Sequence, residues 1–355
     1  MKRKYDDFLR ESDIDEDLLN FIVDDEEYFD SDSPSSPSSE EDTNIDIQKL
    51  ETIEDLIEIG RQWLDKNRKK SRKLSIYGRV SNIIEDLREL RDMIGMKSLK
   101  NSILEQIIFF GQGLHQNEIM HTVLYGEPGT GKTTVGEILC RIYAKLGILS
   151  KGHYTIANRN DFVGKYLGHT ADKTEKFLKR CIGGVLFIDE AYSLGPEKSG
   201  GDSFSKEVID TLNQFLSENT QNFICIIAGY EDSLKKCFFN KNVGLDRRFP
   251  WRFYMDKYSN EDLLKIFIYC IEKANWRIDF TPFLPAFDPK VFNNNGGDCK
   301  ILFDRCKMAH SRRIFMDKNA EKFVLNDSDF KQGYKNFLNI KKEKSNKPPP
   351  EFMYI

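Results

Sequence analysis

The chain has 355 residues and a formal charge of −4; 39% of it is hydrophobic and 12% aromatic. That is apolar material enough for a packed core and more length than one domain usually takes, so two folded units with tails are expected. The near-balanced charge gives no global pull toward nucleic acid, and no apolar run approaches the ~20 residues that cross a bilayer, so no membrane partner is expected.

Residues 1–50 carry "ESDIDEDLLNFIVDDEEYFDSDSPSSPSSEEDTNID". So much Asp, Glu, Ser and Pro buries too little apolar surface to offset lost chain entropy, and a disordered acidic tail follows. The opening "MKRKYDDFLRESD" has no apolar stretch behind its basic start, so no secretory leader is expected. Residues 51–84 read as a helical and basic connector: "ETIEDLIEIGRQWLDK" has helical apolar spacing, and "KNRKKSRK" (Lys66–Lys73) reads as a solvated linker, with a nuclear address or a phosphate-binding patch as the alternatives.

Over residues 85–257 short apolar runs alternate with helical patterns. "HTVLY" is a strand, "TVGEILCRIYAKLG" a helix, "VLFID" a strand, "KEVIDTLNQFLSEN" a helix and "NFICIIAGY" a strand. That alternation predicts a parallel sheet covered on both faces, an α/β domain. From residue 258 to 340 the strands stop and a small helical domain follows, opened by "SNED" with Ser259 as N-cap and Asp262 closing the capping box. Residues 341–355 form a polar, proline-rich tail.

Cys140, Cys181, Cys225, Cys237, Cys270, Cys299 and Cys306 include no C-x-x-C pair, so reduced buried thiols in an intracellular protein are expected rather than disulfides or zinc. His115, His121, His153, His169 and His310 show no metal spacing and read as structural or surface residues.

Between the first strand and helix stands GEPGTGKT: Gly126, Glu127, Pro128, Gly129, Thr130, Gly131, Lys132 and Thr133, with Thr134 following. G-x-x-x-x-G-K-T in a strand–helix context is a P-loop. Its glycines let backbone N–H groups approach phosphate oxygens, and the next helix adds its unpaired N–H groups and dipole. Lys132 would reach the β- and γ-phosphates of a nucleoside triphosphate, and Thr133 would hold Mg²⁺. "VLFIDE" ends in the second half of such a site: Asp189 for the Mg²⁺ and Glu190 to polarise the attacking water.

With "LYGEPGTGKTTV", "DFVGKYLGHTADKT", "GGVLFIDEAYSL", "IIAGYEDSL" and "NVGLDRRFPWRF" together, residues 85–315 resemble AAA+ ATPases of the CbbX/CfxQ group, related to stage V sporulation protein K. The resemblance implies a P-loop NTPase sheet domain followed by a helical lid, and a homo-oligomer, expected as a hexameric ring, that uses ATP hydrolysis to remodel a protein client. It implies a loop facing the ring's pore, with Tyr166 gripping substrate between Lys165 and Leu167. "GLDRRF" implies an arginine finger for the neighbouring subunit, Arg248 by register with Arg247 the alternative. The first-sensor position falls on Tyr230 or Asp232. "DMIGM" (Asp92–Met96) would line the adenine pocket. Where relatives carry the second-sensor arginine, "NNNGGDCK" (Asn293–Lys300) has Gly297, with Lys300 the nearest cation. Two other readings stay open: the same motor acting on nucleic acid, which is not favoured, and a nucleotide-gated scaffold that scarcely hydrolyses. The client is not legible, nor is the choice between cytoplasm and nucleus.

Overall fold

The computed structural model describes residues 49–67, 75–116, 118–164, 168–195, 203–242, 244–317 and 321–346. The expected acidic tail, all of Lys66–Lys73 beyond Asn67, and the end of the proline-rich tail lie outside the described residues.

Five parallel strands carry the architecture: β1 (Thr122–Tyr125), β2 (Tyr154–Ala157), β3 (Val185–Ile188), β4 (Ile224–Gly229) and β5 (Trp251–Tyr254), in the order β2-β3-β4-β1-β5. The central three are buried end to end, which is why they read as unbroken apolar runs. Their side chains alternate between two cores. Leu124, Phe187 and Ile226 join one with Val135 and Leu139 of the P-loop helix α5 (Lys132–Lys145), whereas Val123, Leu186 and Ile227 join the other with residues of the helices α7 (His169–Arg180) and α8 (Ser203–Glu218).

Helix α5 lies very close to β3. A Cβ at Gly136 would fall 2.3 Å from the Phe187 ring, so glycine at that position sets the approach.

The helix expected over 51–66 spans 53–66, and residues 76–81 and 84–92 are helical too; all three join the α5-side core. Thr52 and Asp55 form a capping box at the start of α1 (Ile53–Lys66), which buries Leu56, Ile57 and Trp63. After α2 (Ile76–Ser81), α3 (Ile84–Asp92) grips α5 electrostatically: the carboxylate of Asp86, 4% exposed, accepts from Arg141 Nε at 2.8 Å and Lys145 Nζ at 2.6 Å. Helix α4 (Lys97–Gly111) then leads to β1.

The lid contains α10 (Asn260–Lys273), α11 (Gly296–Met316) and α12 (Asp327–Asn346). Ser259 caps α10, and its backbone N–H donates to Asp262 at 3.0 Å in the reciprocal half of the capping box. The expectation that strands stop at residue 258 needs correction. A parallel pair, β6 (Arg277–Ile278) with β7 (Val324–Leu325), joins the end of α10 to the start of α12. Two residues per strand leave no periodicity to read, so pairing here is set by tertiary packing. Behind it, buried His310 lies 3.0 Å from Asp329 Oδ2 and 3.0 Å from Lys322 O, under the Trp276 ring. This histidine is structural, and no cluster suited to a metal occurs among the described residues. All seven cysteines are free thiols.

Gly136→Ala should cost about 1–2 kcal/mol, because overpacking against three Phe187 ring atoms falls in the upper part of its range, about 2–3 kcal/mol, and exceeds the helix-propensity gain of about 1 kcal/mol. A urea unfolding midpoint equal to the wild type's would show that Phe187 can turn aside and that glycine does not set the approach.

Candidate functional site

Strand β1 leaves the sheet at Tyr125, and the chain turns through Gly126–Gly131 into α5. Gly129 (φ 70°) and Gly131 (φ 90°) take left-handed angles that L side chains adopt poorly. The turn spends its carbonyls on protein donors. Lys132 Nζ donates to Gly126 O and Glu127 O, each at 2.9 Å, and Thr130 Oγ1 donates to Glu127 O at 2.8 Å. The backbone N–H groups of Gly129 to Thr134 have no acceptor among the described residues. Those donors, at the N-terminus of a 14-residue helix, form an anion cradle that suits a nucleotide's phosphates.

The end of β3 faces this cradle. Thr133 Oγ1 donates to Asp189 Oδ2, and the Glu190 N–H donates to Asp189 Oδ1 at 2.9 Å. A hydroxyl beside a carboxylate is the oxygen-only donor set that Mg²⁺ takes when phosphates and water complete its shell. Glu190 is exposed and sits at φ 49°, ψ 46°, an arrangement that costs a non-glycine residue about 1–2 kcal/mol. Asp189 thus turns toward α5 and Glu190 projects beyond the strand end.

Two aromatic rings lie under the pair. Tyr192 stacks on Tyr230 with centroids 5.4 Å apart and planes 24° apart, and Lys132 Nζ stands 4.6 Å from the Tyr230 centroid. Burial pushes both phenols up, with Glu190 adding to each. Burial pulls the Lys132 ammonium down, against the opposing pull of Asp189, Glu190 and Glu127. An anion among them would favour the charged form.

Of the two first-sensor candidates, Tyr230 at the end of β4 meets Lys132, whereas Asp232 is exposed in the first turn of α9 (Glu231–Cys237). In the adenine-pocket segment, Met96 and Met93 place their methyl carbons 3.3 and 3.4 Å from where a Gly131 Cβ would be. Arg247 and Arg248 lie in the 3-10 turn Asp246–Arg248, held by Arg252, whose guanidinium is 2.8 Å from the Asp246 carboxylate. Arg247 is exposed; Arg248 is half-buried, and its buried Nε has no hydrogen-bond partner among the described residues. The turn precedes β5, whose Trp251 is in register with Thr122, so the arginines sit at the entry end of β1 and the P-loop at its exit. The strand between rises ~10 Å. The structure therefore does not bring Arg247 or Arg248 to the chain's own P-loop. Lys165, Tyr166 and Leu167 lie outside the described residues.

Sequence reasoning missed three residues at this site: Tyr192, Tyr258 and Asn295. The Tyr258 hydroxyl donates to Thr130 O at 2.9 Å, and Asn295 Nδ2 to Pro128 O at 3.1 Å. Asn295 stands in the run "NNNGGD", where no local pattern marks one amide as the partner of a distant carbonyl.

The family described as "ATPase family associated with various cellular activities (AAA)" matches residues 122–248. A putative cfxQ-like protein of Acanthamoeba polyphaga mimivirus is 40% identical over 302 residues, covering 83% of this chain and 74% of the relative. Protein CbbX of Cereibacter sphaeroides is 37% identical over 246 residues, covering 65% of this chain and 79% of the relative. A solved FIGL-1 AAA domain in complex with ADP is similar in fold, with a TM-score of 0.51 and 19% identity, over 69% of this chain and 83% of that one.

Thr133→Ala should leave a fluorescent ATP analogue bound in the absence of magnesium and remove at least about tenfold of the affinity that magnesium adds, as expected where the P-loop hydroxyl sits on the ion. A titration in EDTA and in Mg²⁺ reads both; an unchanged Mg²⁺ effect would reject the assignment.

Proposed function

The chain belongs to the CbbX/CfxQ-like AAA+ ATPases, and on that premise we propose that it binds and hydrolyses ATP in an oligomeric ring to remodel a protein partner. One observation carries the catalytic part: Lys132, Thr133, Asp189, Glu190 and Tyr230, from the ends of three neighbouring strands, converge on one anion cradle.

Each group has a task its surroundings allow. The amides of Gly129–Thr134 bind and orient the phosphates, and Lys132 exchanges its two carbonyl partners for phosphate oxygens. Thr133 and Asp189 would hold the Mg²⁺, which neutralises developing charge when bound. Glu190 takes the proton of the attacking water. Tyr230 flanks the lysine and is the better placed of the two first-sensor candidates.

An oligomer is supported by what the chain does not bring together alone, and its ring form comes from the family. A guanidinium is needed where charge develops, and Arg247 and Arg248 sit at the far end of β1 from their own P-loop. A neighbour's finger completes the site, with Arg248 by register and Arg247 as its alternative. The protein client and its grip by Tyr166 come from the family alone. The glycine at position 297 favours one rival, a scaffold that binds ATP and scarcely turns it over.

Complementation tests the trans arrangement. Lys132→Ala cannot use nucleotide but keeps its finger; Arg248→Ala keeps its cradle but lacks the finger. Each alone should fall at least about a thousandfold in turnover, and an equal mixture should recover well above either. A mixture of assembled variants that stays at background would reject the trans finger, and recovery with Arg247→Ala instead would reassign it. A wild-type rate matched by Glu190→Gln would favour the scaffold.

A further inference from the structure

The P-loop turn has two faces, and its carbonyl face is taken up by protein donors residue after residue. Lys132 occupies Gly126 O and Glu127 O. The next three carbonyls are taken from the lid side. Asn295 Nδ2 donates to Pro128 O at 3.1 Å, the Gly296 N–H to Gly129 O at 3.1 Å, and the Tyr258 hydroxyl to Thr130 O at 2.9 Å.

The contact is tight. A Cβ at Gly129 would stand 2.1 Å from the Asn294 carbonyl oxygen and 2.9 Å from the Gly297 nitrogen, so only glycine admits the lid backbone there. Asn295 holds φ 49°, ψ −123°, a conformation that strains a non-glycine residue and persists only where surroundings enforce it. Asn294 beside it is fixed by donating its N–H to Asp298 at 2.8 Å, and that buried carboxylate also takes Lys341. Lys300, the cation nearest the missing arginine, is exposed on α11.

Resting on the nucleotide-binding reading above, we propose that the lid senses the P-loop through these three carbonyls, with Asn295 and Tyr258 as the positioning residues that replace an arginine at position 297. Lys132 cannot serve both faces of the turn. When its ammonium moves to a phosphate, half-buried Gly126 O loses its donor and Glu127 O keeps only the Thr130 hydroxyl. A peptide carbonyl that loses its partner is unfavourable, so the peptide planes of the turn readjust. The carbonyls of residues 128–130 belong to the same rigid run, and their rotation reaches Asn295, Gly296 and Tyr258 directly. The device reads the loop's shape, not the γ-phosphate itself.

The test uses the full chain and two minimal changes. Tyr258→Phe removes one hydroxyl, and Asn295→Gly removes one amide, since glycine takes the Asn295 backbone angles readily. Hydrogen exchange of residues 292–300 is followed with and without a non-hydrolysable ATP analogue. In the wild type the Gly296 amide should change its exchange rate on nucleotide addition. In the double variant that response should fall at least about tenfold, within the usual range of coupling between sites, read at analogue concentrations that saturate both proteins. A double variant whose lid peptide still answers nucleotide as the wild type does would overturn the proposal, as would a wild-type lid that ignores bound nucleotide. If the wild type binds no analogue, the nucleotide reading fails instead. The lid contact is then judged in the nucleotide-free proteins, where the double variant should exchange at Gly296 at least about fivefold faster through local opening and equal rates would overturn it.

Discussion

How closely α5 can lie on β3 decides whether this chain has a site at all. Gly136 leaves no side chain between the helix and the Phe187 ring, and that intimacy brings the first turn of α5 to the end of β3. Only then does the Thr133 hydroxyl reach Asp189. A P-loop and an acidic strand end are each common surface features; within one hydrogen bond of each other they set a hydroxyl and a carboxylate side by side at the mouth of the nucleotide turn. The ion pairs of Asp86 with Arg141 and Lys145 hold the outer side of the same helix, so α5 is held between a packed face and a charged one.

Much of this was legible from residue types. The three buried strands announce themselves as "TVLY", "VLFI" and "ICIIAG" because side chains covered on both faces must be apolar. GEPGTGKT is legible because its chemistry tolerates few alternatives, and Ser259 with Asp262 because a capping box is local. What stayed hidden depends on distant contacts. Strands β6 and β7 are too short for a period and exist through their pairing. The choice between Tyr230 and Asp232 turns on which way α9 departs from β4, which no local pattern encodes. Asn295 and Tyr258 act on carbonyls more than a hundred residues away, and asparagine in "NNNGGD" looks like any polar turn.

The arrangement of charge across the sheet gives the site its incompleteness. Anion-binding groups gather where β1, β3 and β4 end, while Arg247 and Arg248 stand where β5 begins. A parallel sheet keeps these two ends apart by the length of its strands. The Arg252–Asp246 ion pair bridges β5 and the arginine turn within the chain itself, so in the trans arrangement proposed above the guanidinium would be ordered before a neighbour arrives. Little conformational entropy would then remain to be lost at the moment of assembly.

The short β6–β7 ladder has a mechanical meaning. By stitching the end of α10 to the start of α12, with His310, Asp329 and Arg313 bonded beneath, it denies the lid helices the freedom to slide past one another. A body so braced transmits torque. Any tilt begun at its contact with the nucleotide turn is delivered at the opposite end of α11, some 30 Å away for a helix of 21 residues, where exposed Phe315 and Met316 would sweep the widest arc.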